Sequence, residues 1–381
     1  MTVKLCVVAP NLGLSFIDRH VHGFPEYDTV AVTLFSHYPH KEFWPPKAPV
    51  FDVQRWKSRL RVRAAARLFG DSIDDMAVEA VGRFWRKRGV SVVLGQFMDN
   101  FLPYARLAEQ MGLPYVVQAH GIDVSASLQQ PGMAESYQVY QSAAAILTRS
   151  EHQRRRLIEI GLPAHKIHVN PGGVDVPTTL PSAPEGAGHR ILAVGRMVPK
   201  KGPMLLLEAF RLAAQKDDRL TLDYVGDGPM FSAVQQYVLA TGLHDRVRLH
   251  GTVAEAHKRQ LLESCGVFAQ HSVTAPDGDE EGLPAALQEA MAQGMAVVAT
   301  RHAGIPEAVE DGVSGVLVNE GDVKAMADAF VFVTPQARAM GKAAFERVRR
   351  GYRWEDERAR LRAVLRAASR HDDMSGLTLC S

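Results

Sequence analysis

Short runs of consecutive apolar residues alternate with longer helical stretches along the whole chain, and this alternation constrains the fold most. The strand candidates are 3–9, 30–35, 90–95, 115–119 and 145–148, then 190–195, 220–226, 246–251, 266–270, 296–300 and 315–318. Strands that are apolar throughout, rather than at every second position, are typical of parallel sheets covered on both faces by helices. The sequence therefore predicts an α/β fold.

A Pro- and Gly-rich stretch at 177–188 interrupts the alternation and reads as a linker. With 381 residues, the chain is long enough for two ordinary domains. We predict two doubly wound domains at 1–178 and 188–350, with a C-terminal helix at about 351–370 that packs back on the first.

The composition limits the class of protein. Hydrophobic residues make up 46% and charged residues 23%, as in ordinary globular proteins, and a net charge of +2 does not indicate nucleic-acid binding. Cys6, Cys265 and Cys380 have neither metal-ligand nor disulfide spacing. No apolar run approaches the roughly 18 residues of a membrane-spanning helix. These features predict a cytoplasmic protein.

Two carboxylates, Glu281 and Glu289, lie in a segment that reads as a helix, with Pro284 in its first turn and Gly294 at its stop. A helical rise of about 1.5 Å per residue would separate them by on the order of 12 Å. That is close to the span from sugar to ribose in a nucleoside diphosphate sugar. Backbone N–H groups and the helix dipole between them favour a diphosphate.

A basic loop follows the first strand of the second domain. Gly195-Arg196 and Lys201-Gly202 place cations and flexible backbone at a strand's carboxyl end, which suits a diphosphate. A solvated basic turn is the equal alternative. The turn at 226–229, Gly-Asp-Gly-Pro, is by itself only a tight turn.

In the first domain, His120 follows a strand and would face a ligand at the carboxyl edge of the sheet. The alternative is a histidine satisfied by local backbone. Gly13, after the first strand, could let the backbone approach a ligand.

These motifs together resemble family 4 of the retaining nucleotide-sugar glycosyltransferases, which have the two-domain GT-B fold. The matching residues share one order along the chain: His120-Gly121-x-Asp123, Gly195-Arg196, Lys201-Gly202, Gly226-Asp227-Gly228-Pro229, Glu281 and Glu289, and Gly304-Ile305-Pro306-Glu307. The chain departs from many relatives in having one glycine, Gly13, where they carry two.

The resemblance implies two Rossmann-like domains facing across a cleft, and a role for each matched residue. Arg196 and Lys201 would neutralise the diphosphate beside Gly195, Glu281 and His120 would contact the sugar, and Glu289 would hold the ribose. The backbone amides of Gly282 and Leu283 would meet the distal phosphate, with Thr252 and Val253 beside the base. The implied reaction transfers a hexose to a lipid-linked oligosaccharide in surface polysaccharide synthesis. UDP is favoured over GDP as the nucleotide because it is the commonest donor nucleotide of such enzymes.

Asp277-x-Asp279 has the spacing by which GT-A glycosyltransferases hold a divalent metal. Because Arg196 and Lys201 already supply positive charge, we expect no metal and interpret this loop as an edge of the sugar or acceptor site.

The run Arg55–Arg67 lacks acidic residues and carries Trp56, Leu60, Ala64 and Leu68 at helical spacing. It predicts a helix that rests on an anionic membrane surface, placing the protein peripherally on the inner face of the cell membrane. The alternative is an ordinary helix that packs Trp56 and Leu60 into the domain.

Two other functions compete. One is a GT-B enzyme with a soluble substrate, either a sugar synthase or a nucleotide-sugar epimerase. The other is a non-catalytic subunit that binds sugar nucleotides, although the presence of Arg196, Lys201, Glu281, Glu289 and His120 together weighs against it.

Overall fold

The structure is a computed structural model that describes residues 3–12, 15–35, 48–70 and 72–372. Contacts divide the described chain into two compact units. The described residues within 3–148, 153–170 and 358–372 form the first unit, and residues 149–152 and 171–357 form the second. This division differs from the predicted boundaries, because 149–152 and 171–178 group with the second unit and the terminal helix divides at residue 357.

Each unit is built on one parallel sheet. Within the described residues, the first sheet has the order β3-β2-β1-β4-β5-β6-β7 and the second β10-β9-β8-β11-β12-β13. The first sheet contains β1 (Leu5–Ala9), β2 (Val30–Thr33), β3 (Val50–Asp52), β4 (Val92–Gln96), β5 (Tyr115–Gln118), β6 (Ala145–Thr148) and β7 (Ile167–Val169). The second contains β8 (Arg190–Val194), β9 (Thr221–Val225), β10 (Val247–Gly251), β11 (Val267–Gln270), β12 (Ala296–Thr300) and β13 (Gly315–Val318). The predicted fold class is confirmed.

Helices connect the strands. Their bounds are α1 (Ser15–His22), α2 (Val53–Lys57), α3 (Leu60–Phe69), α4 (Ile73–Arg88), α5 (Met98–Gln110), α6 (Met133–Ser136), α7 (Glu151–Glu159), α8 (Pro203–Ala214), α9 (Phe231–Ala240), α10 (Glu255–Ser264), α11 (Ala285–Ala292), α12 (Ile305–Ala308), α13 (Val323–Val333), α14 (Ala337–Gly351) and α15 (Trp354–Arg370). Among the described helices, none is both long enough and apolar enough to cross a bilayer.

Burial on both sheet faces explains why the strands are apolar throughout. In β1, Cys6 and Val8 face one core with α4 and α5, whereas Leu5 and Val7 face another with α1 and α15. Leu361 and Leu365 of α15 belong to that second core, so the later part of α15 completes the packing of the first unit.

Two strands of the first sheet, β3 and β7, were not predicted. Each has three residues, and β3 is only partly buried. A run that short has no detectable periodicity and is recognised only by its pairing with β2 or β6.

Candidate functional site

Two loops of the second unit pack backbone against backbone where β8 and β9 end. Gly226 has φ +139°, and a Cβ there would lie 2.0 Å from the carbonyl oxygen of Gly195. The N–H of Met197 donates to the carbonyl of Asp227 at 2.9 Å. The turn at 226–229 therefore supports the basic loop, and only glycine permits the approach.

An ion pair joins the basic loop to the segment before α11. Lys201 Nζ lies 3.0 Å from Glu281 Oε1, and both side chains are close to nine-tenths buried. The Lys201 side chain passes over Gly195, where a Cβ would lie 3.3 Å from its Cε. Burial raises the pKa of Glu281, but the charges of Lys201 and Lys200 outweigh it and hold the pKa below its ordinary value. The neighbouring lysines thus favour the ionised form of Glu281, and the pair is partly shielded from water.

A second lysine orders the acidic loop beside this pair. Lys200 Nζ lies 3.0 Å from Asp279 Oδ1 and donates to the carbonyl of Glu280 at 3.2 Å. Asp277 accepts the N–H of Asp279 at 3.1 Å. These contacts give Asp277 and Asp279 a structural role in the loop. In the part of the chain that is described, no group of three or more His, Cys, Asp or Glu side chains is arranged to hold a metal.

The helix predicted across the two glutamates begins later than expected. It starts at Ala285, with Pro284 as the N-cap, so Glu281 precedes it and the separation calculated from helical rise does not apply. Gly294 adopts φ +76° just beyond the helix, as predicted. Gly282 and Leu283 thus lie in irregular backbone ahead of the first turn of α11.

The segment between Glu281 and Pro284 is held by the loop after β12. The N–H of Gly304 donates to the carbonyl of Gly282 at 3.1 Å, and a Cβ on Gly304 would lie 2.3 Å from that oxygen. The glycine of the Gly304–Glu307 motif therefore permits close contact with the Glu281 segment.

Glu289 is ion-paired within the second unit. Lys258 Nζ lies 3.0 Å from Glu289 Oε2 and 3.1 Å from Glu255 Oε2. Burial lowers the pKa of Lys258, but the two carboxylates outweigh it and raise the pKa. The sequence did not single out Lys258, which lies on α10 and has no motif around it.

The loop after β10 adjoins the glycine turn. The N–H of Gly226 donates to the carbonyl of Gly251 at 2.8 Å, immediately before exposed Thr252 and half-buried Val253. Arg196 is also exposed, on the basic loop. Gly195, Lys201, Glu281 and this loop therefore meet at the carboxyl edge of the second sheet.

In the first unit, His120 is anchored by more than local backbone. Its Nε2 lies 2.9 Å from Gln96 Oε1, and its ring stacks on Phe97 with centroids 4.1 Å apart. Phe97 has φ +64°, a strained value for a bulky side chain. Neither Gln96 nor Phe97 was predicted, although their position at the end of β4 was the available signal.

Asp123 holds the backbone around His120. Its two carboxylate oxygens accept the N–H groups of Met98 and His120, each at 2.8 Å. Complete burial raises the pKa of Asp123 to about 7. Asp123, which belongs to the predicted motif, thus fixes the backbone that carries the His120 side chain. Gly13, the other candidate of this unit, lies outside the described residues.

The basic run does not form one helix. It is divided between α2 and α3 at Arg59, whose ψ of 130° is extended. Trp56 packs partly against the core, whereas Leu60 is 85% and Leu68 77% exposed, and α3 buries Val62 and Ala66 instead. The expectation that Leu60 packs into the domain is therefore wrong, and the exposed face is both apolar and cationic.

Two family models match the chain. The model for the glycosyl transferase 4-like domain matches residues 25–173, and the model for group 1 glycosyl transferases matches residues 188–334. The chain belongs to glycosyltransferase family 4. Together the two matches cover well over half of this family-4 chain, and they divide at the predicted linker.

Sequence relatives of this family-4 chain include proteins named for polysaccharide synthesis. The amylovoran biosynthesis glycosyltransferase AmsK of Erwinia amylovora is 34% identical over 55% of this chain and 52% of its own length. The putative colanic acid biosynthesis glycosyltransferase WcaL of Escherichia coli is 35% identical over the same shares. The chain thus spans about half the length of these relatives. A GDP-mannose-dependent phosphatidylinositol monomannoside mannosyltransferase of Mycobacterium tuberculosis is 28% identical over 69% of this chain and 72% of its own.

Solved structures confirm the GT-B fold of this family-4 chain. HepE of Anabaena, in complex with UDP and glucose, superposes with a TM-score of 0.77 at 18% identity, over 96% of this chain and 100% of HepE. The sucrose-phosphate synthase of Thermosynechococcus elongatus gives 0.72 at 15% identity, over 97% and 100%. At these identities the likeness concerns the fold.

Proposed function

We propose that the protein transfers a hexose from a nucleoside diphosphate sugar to a hydroxyl of a lipid-linked oligosaccharide, with retention of anomeric configuration, during exopolysaccharide synthesis. The observation that carries the proposal is the Lys201–Glu281 ion pair, shielded beside Gly195 at the carboxyl edge of a parallel sheet. Ligands of open parallel sheets bind at that edge. The names of the AmsK and WcaL relatives support the polysaccharide role.

The proposed chemistry rests on the charge that develops when the sugar–phosphate bond breaks. Negative charge accumulates on the leaving diphosphate, where Lys201, exposed Arg196 and the backbone N–H groups before α11 would stabilise it. Glu281, kept ionised by the lysines, would orient the sugar and hold Lys201 in place before the donor binds. Glu289 would accept hydrogen bonds from the ribose through its carboxylate.

Retention is proposed to follow from attack on the face that the diphosphate leaves, with the departing phosphate taking the acceptor proton. We assign no carboxylate as a covalent nucleophile. His120 is proposed to contact the donor sugar, and its stacking on Phe97 and bracing by Asp123 would limit the motion of the ring. Because side chains supply the positive charge, we propose that the reaction needs no metal.

The acceptor is proposed to be presented at a membrane. Around α3, exposed Leu60 and Leu68 lie among Arg59, Arg61, Arg63 and Arg67, all exposed. An apolar and cationic face is the combination that binds anionic interfaces, since the leucines bury in the acyl boundary while arginines meet phosphates. This face would hold the protein peripherally on the inner surface of the cell membrane.

The nucleotide is tested by thermal stabilisation. A ligand that binds the native state raises its melting temperature, so UDP, GDP and ADP are compared at equal concentration. We retain UDP as the prediction; GDP-mannose dependence of the mycobacterial relative makes GDP the competing outcome. Stabilisation by either, lost in Lys201→Ala, supports the donor site, and no response to any of the three contradicts it.

The reaction is tested with radiolabelled UDP-glucose and GDP-mannose and a lipid-extract acceptor. Transfer to a lipid-soluble product supports the proposal, whereas transfer to a water-soluble sugar indicates an enzyme with a soluble substrate. Nucleotide binding with neither transfer nor donor hydrolysis indicates a non-catalytic subunit.

A further inference from the structure

His302 lies two residues after β12 and is buried, with 1% of its surface exposed. Its Nε2 lies 3.1 Å from the backbone nitrogen of Glu281. A backbone N–H only donates hydrogen bonds, so this ring nitrogen must present its lone pair. The histidine therefore holds the backbone of the residue whose carboxylate pairs with Lys201.

The contact made by the other ring nitrogen of His302 requires the same tautomer. Its Nδ1 lies 2.6 Å from Glu320 Oε1, and a carboxylate accepts, so Nδ1 carries the proton. Glu320 Oε2 also accepts the N–H of Thr274 at 2.9 Å. Glu320, two residues beyond β13, therefore stabilises the loop between β11 and α11 at two points. It binds Thr274 directly and Glu281 through His302.

The backbone next to His302 is strained in a way that serves this contact. Ala303 has φ +45°, a left-handed value that costs a non-glycine residue on the order of 1 kcal/mol. The following residue, Gly304, donates its N–H to the carbonyl of Gly282. His302 and Gly304 therefore bind two consecutive residues, Glu281 and Gly282. The strained backbone of Ala303 lies between the two contacts.

We propose that His302 and Glu320 are positioning residues for the donor site. They fix the N–H of Glu281, and with it the carboxylate of Glu281 and the irregular backbone at Gly282 and Leu283. The inference rests on the proposed function, because these atoms are the ones assigned to the sugar and distal phosphate. Their proposed effect on the donor is transmitted through the Glu281 segment.

Two substitutions separate the two ring nitrogens. His302→Gln places an amide oxygen near the position of Nε2 and can still accept the N–H of Glu281. His302→Asn places an amide group near Nδ1, can donate to Glu320, and leaves the N–H of Glu281 without an acceptor. We expect His302→Asn to raise the donor KM about tenfold, since a buried donor loses its partner, and His302→Gln to stay within about threefold of wild type.

Glu320→Gln supplies a third test. Its amide cannot accept from both His302 Nδ1 and the N–H of Thr274 through equivalent oxygens, so one contact is lost although the side chain keeps its size. We expect a rise in donor KM between those of the two histidine variants, with kcat changed less than KM. Equal KM values for His302→Gln and His302→Asn would overturn the inference.

Hydrogen–deuterium exchange of the unliganded proteins tests the contact without any substrate. A peptide covering residues 277–290 should exchange faster in His302→Asn than in wild type, and His302→Gln should restore protection. Unchanged exchange in His302→Asn overturns the inference. Restored protection with no binding of UDP or GDP by wild type instead contradicts the proposed function and leaves the backbone contact established.

Discussion

Lys201 and Glu281 lie 80 positions apart in the chain, yet their charged atoms are 3.0 Å apart and largely buried. Such a pair exchanges solvation for mutual attraction, so removal of one partner leaves the other charge buried alone. A donor diphosphate would compete with Glu281 for the same ammonium group. The pair therefore links the stability of the second unit to its proposed chemistry.

Separate and combined substitutions of this pair should divide the two effects. Lys201→Met should lower the free energy of unfolding by about 3 kcal/mol, and Lys201→Met with Glu281→Gln should recover part of that loss. Both variants should lose on the order of a hundredfold in kcat/KM, since the cation that meets the leaving phosphate is gone. Denaturant unfolding and donor turnover measure the two effects. Lys216→Met, at an exposed pair with Asp328, is the control; full activity in the double variant would contradict the assignment.

Gly226→Ala should disrupt the support of the basic loop. The new Cβ would lie 2.0 Å from the carbonyl oxygen of Gly195, whereas at Gly242, also at positive φ, a Cβ meets no described atom within 4 Å. Gly242→Ala should cost about 1 kcal/mol through backbone strain alone, and Gly226→Ala clearly more. Denaturant unfolding of both variants gives the comparison, and thermal stabilisation by nucleotide is the second readout. Equal losses in the free energy of unfolding would mean that the two loops can move apart without destabilising the protein, and would contradict the prediction.

The exposed face of α3 should determine binding to anionic vesicles. Arg59→Glu with Arg63→Glu should abolish sedimentation with phosphatidylglycerol vesicles, and Leu60→Ser with Leu68→Ser should weaken it. Arg338→Glu with Arg350→Glu makes the same change in net charge at exposed positions of the second unit and should bind like wild type. If all three double variants sediment equally, the membrane face is refuted.

Acid should destabilise the second unit through His271. Burial lowers the pKa of this histidine from 6.5 to about 4, and its Nε2 accepts the N–H of Gly321 at 3.0 Å. Between these pKa values the unfolded state binds more protons, so the free energy of unfolding rises with pH from 4 to 6.5, by up to about 3 kcal/mol. His271→Gln can accept the same N–H without titrating and should show a flatter profile in denaturant unfolding. Parallel profiles would exclude His271 as the cause.

Removal of divalent cations should not alter sugar transfer. Asp279 forms an ion pair with Lys200, and Asp277 accepts a backbone N–H within the loop. Protein contacts therefore account for both carboxylates without a metal. Transfer measured with and without EDTA should agree, and Asp277→Asn should keep its donor KM. Strong inhibition by EDTA that Mn²⁺ reverses would restore these aspartates as candidate ligands.

Local sequence patterns predicted the class of fold and the loops of the second unit that carry the candidate site residues. Continuous apolar runs identified its strands, because a buried parallel strand needs apolar residues on both faces. The same reasoning missed β3 and β7, which are too short to carry a pattern. It also extended the α11 helix back to Glu281, because residue preferences do not register that the carbonyl of Gly282 is bound by Gly304.

What the sequence by itself determined is therefore the α/β architecture, the basic and acidic residues of the candidate site and their order along the chain. The tertiary structure alone decided which of them meet: Lys201 with Glu281, Gly226 with Gly195, and His302 with the N–H of Glu281. The physical reason is that these contacts join loops separated by whole strands and helices. The spacing of residues along the sequence predicts which side chains share a face of one helix or strand. The distance between two loops depends instead on the order of the strands in the sheet.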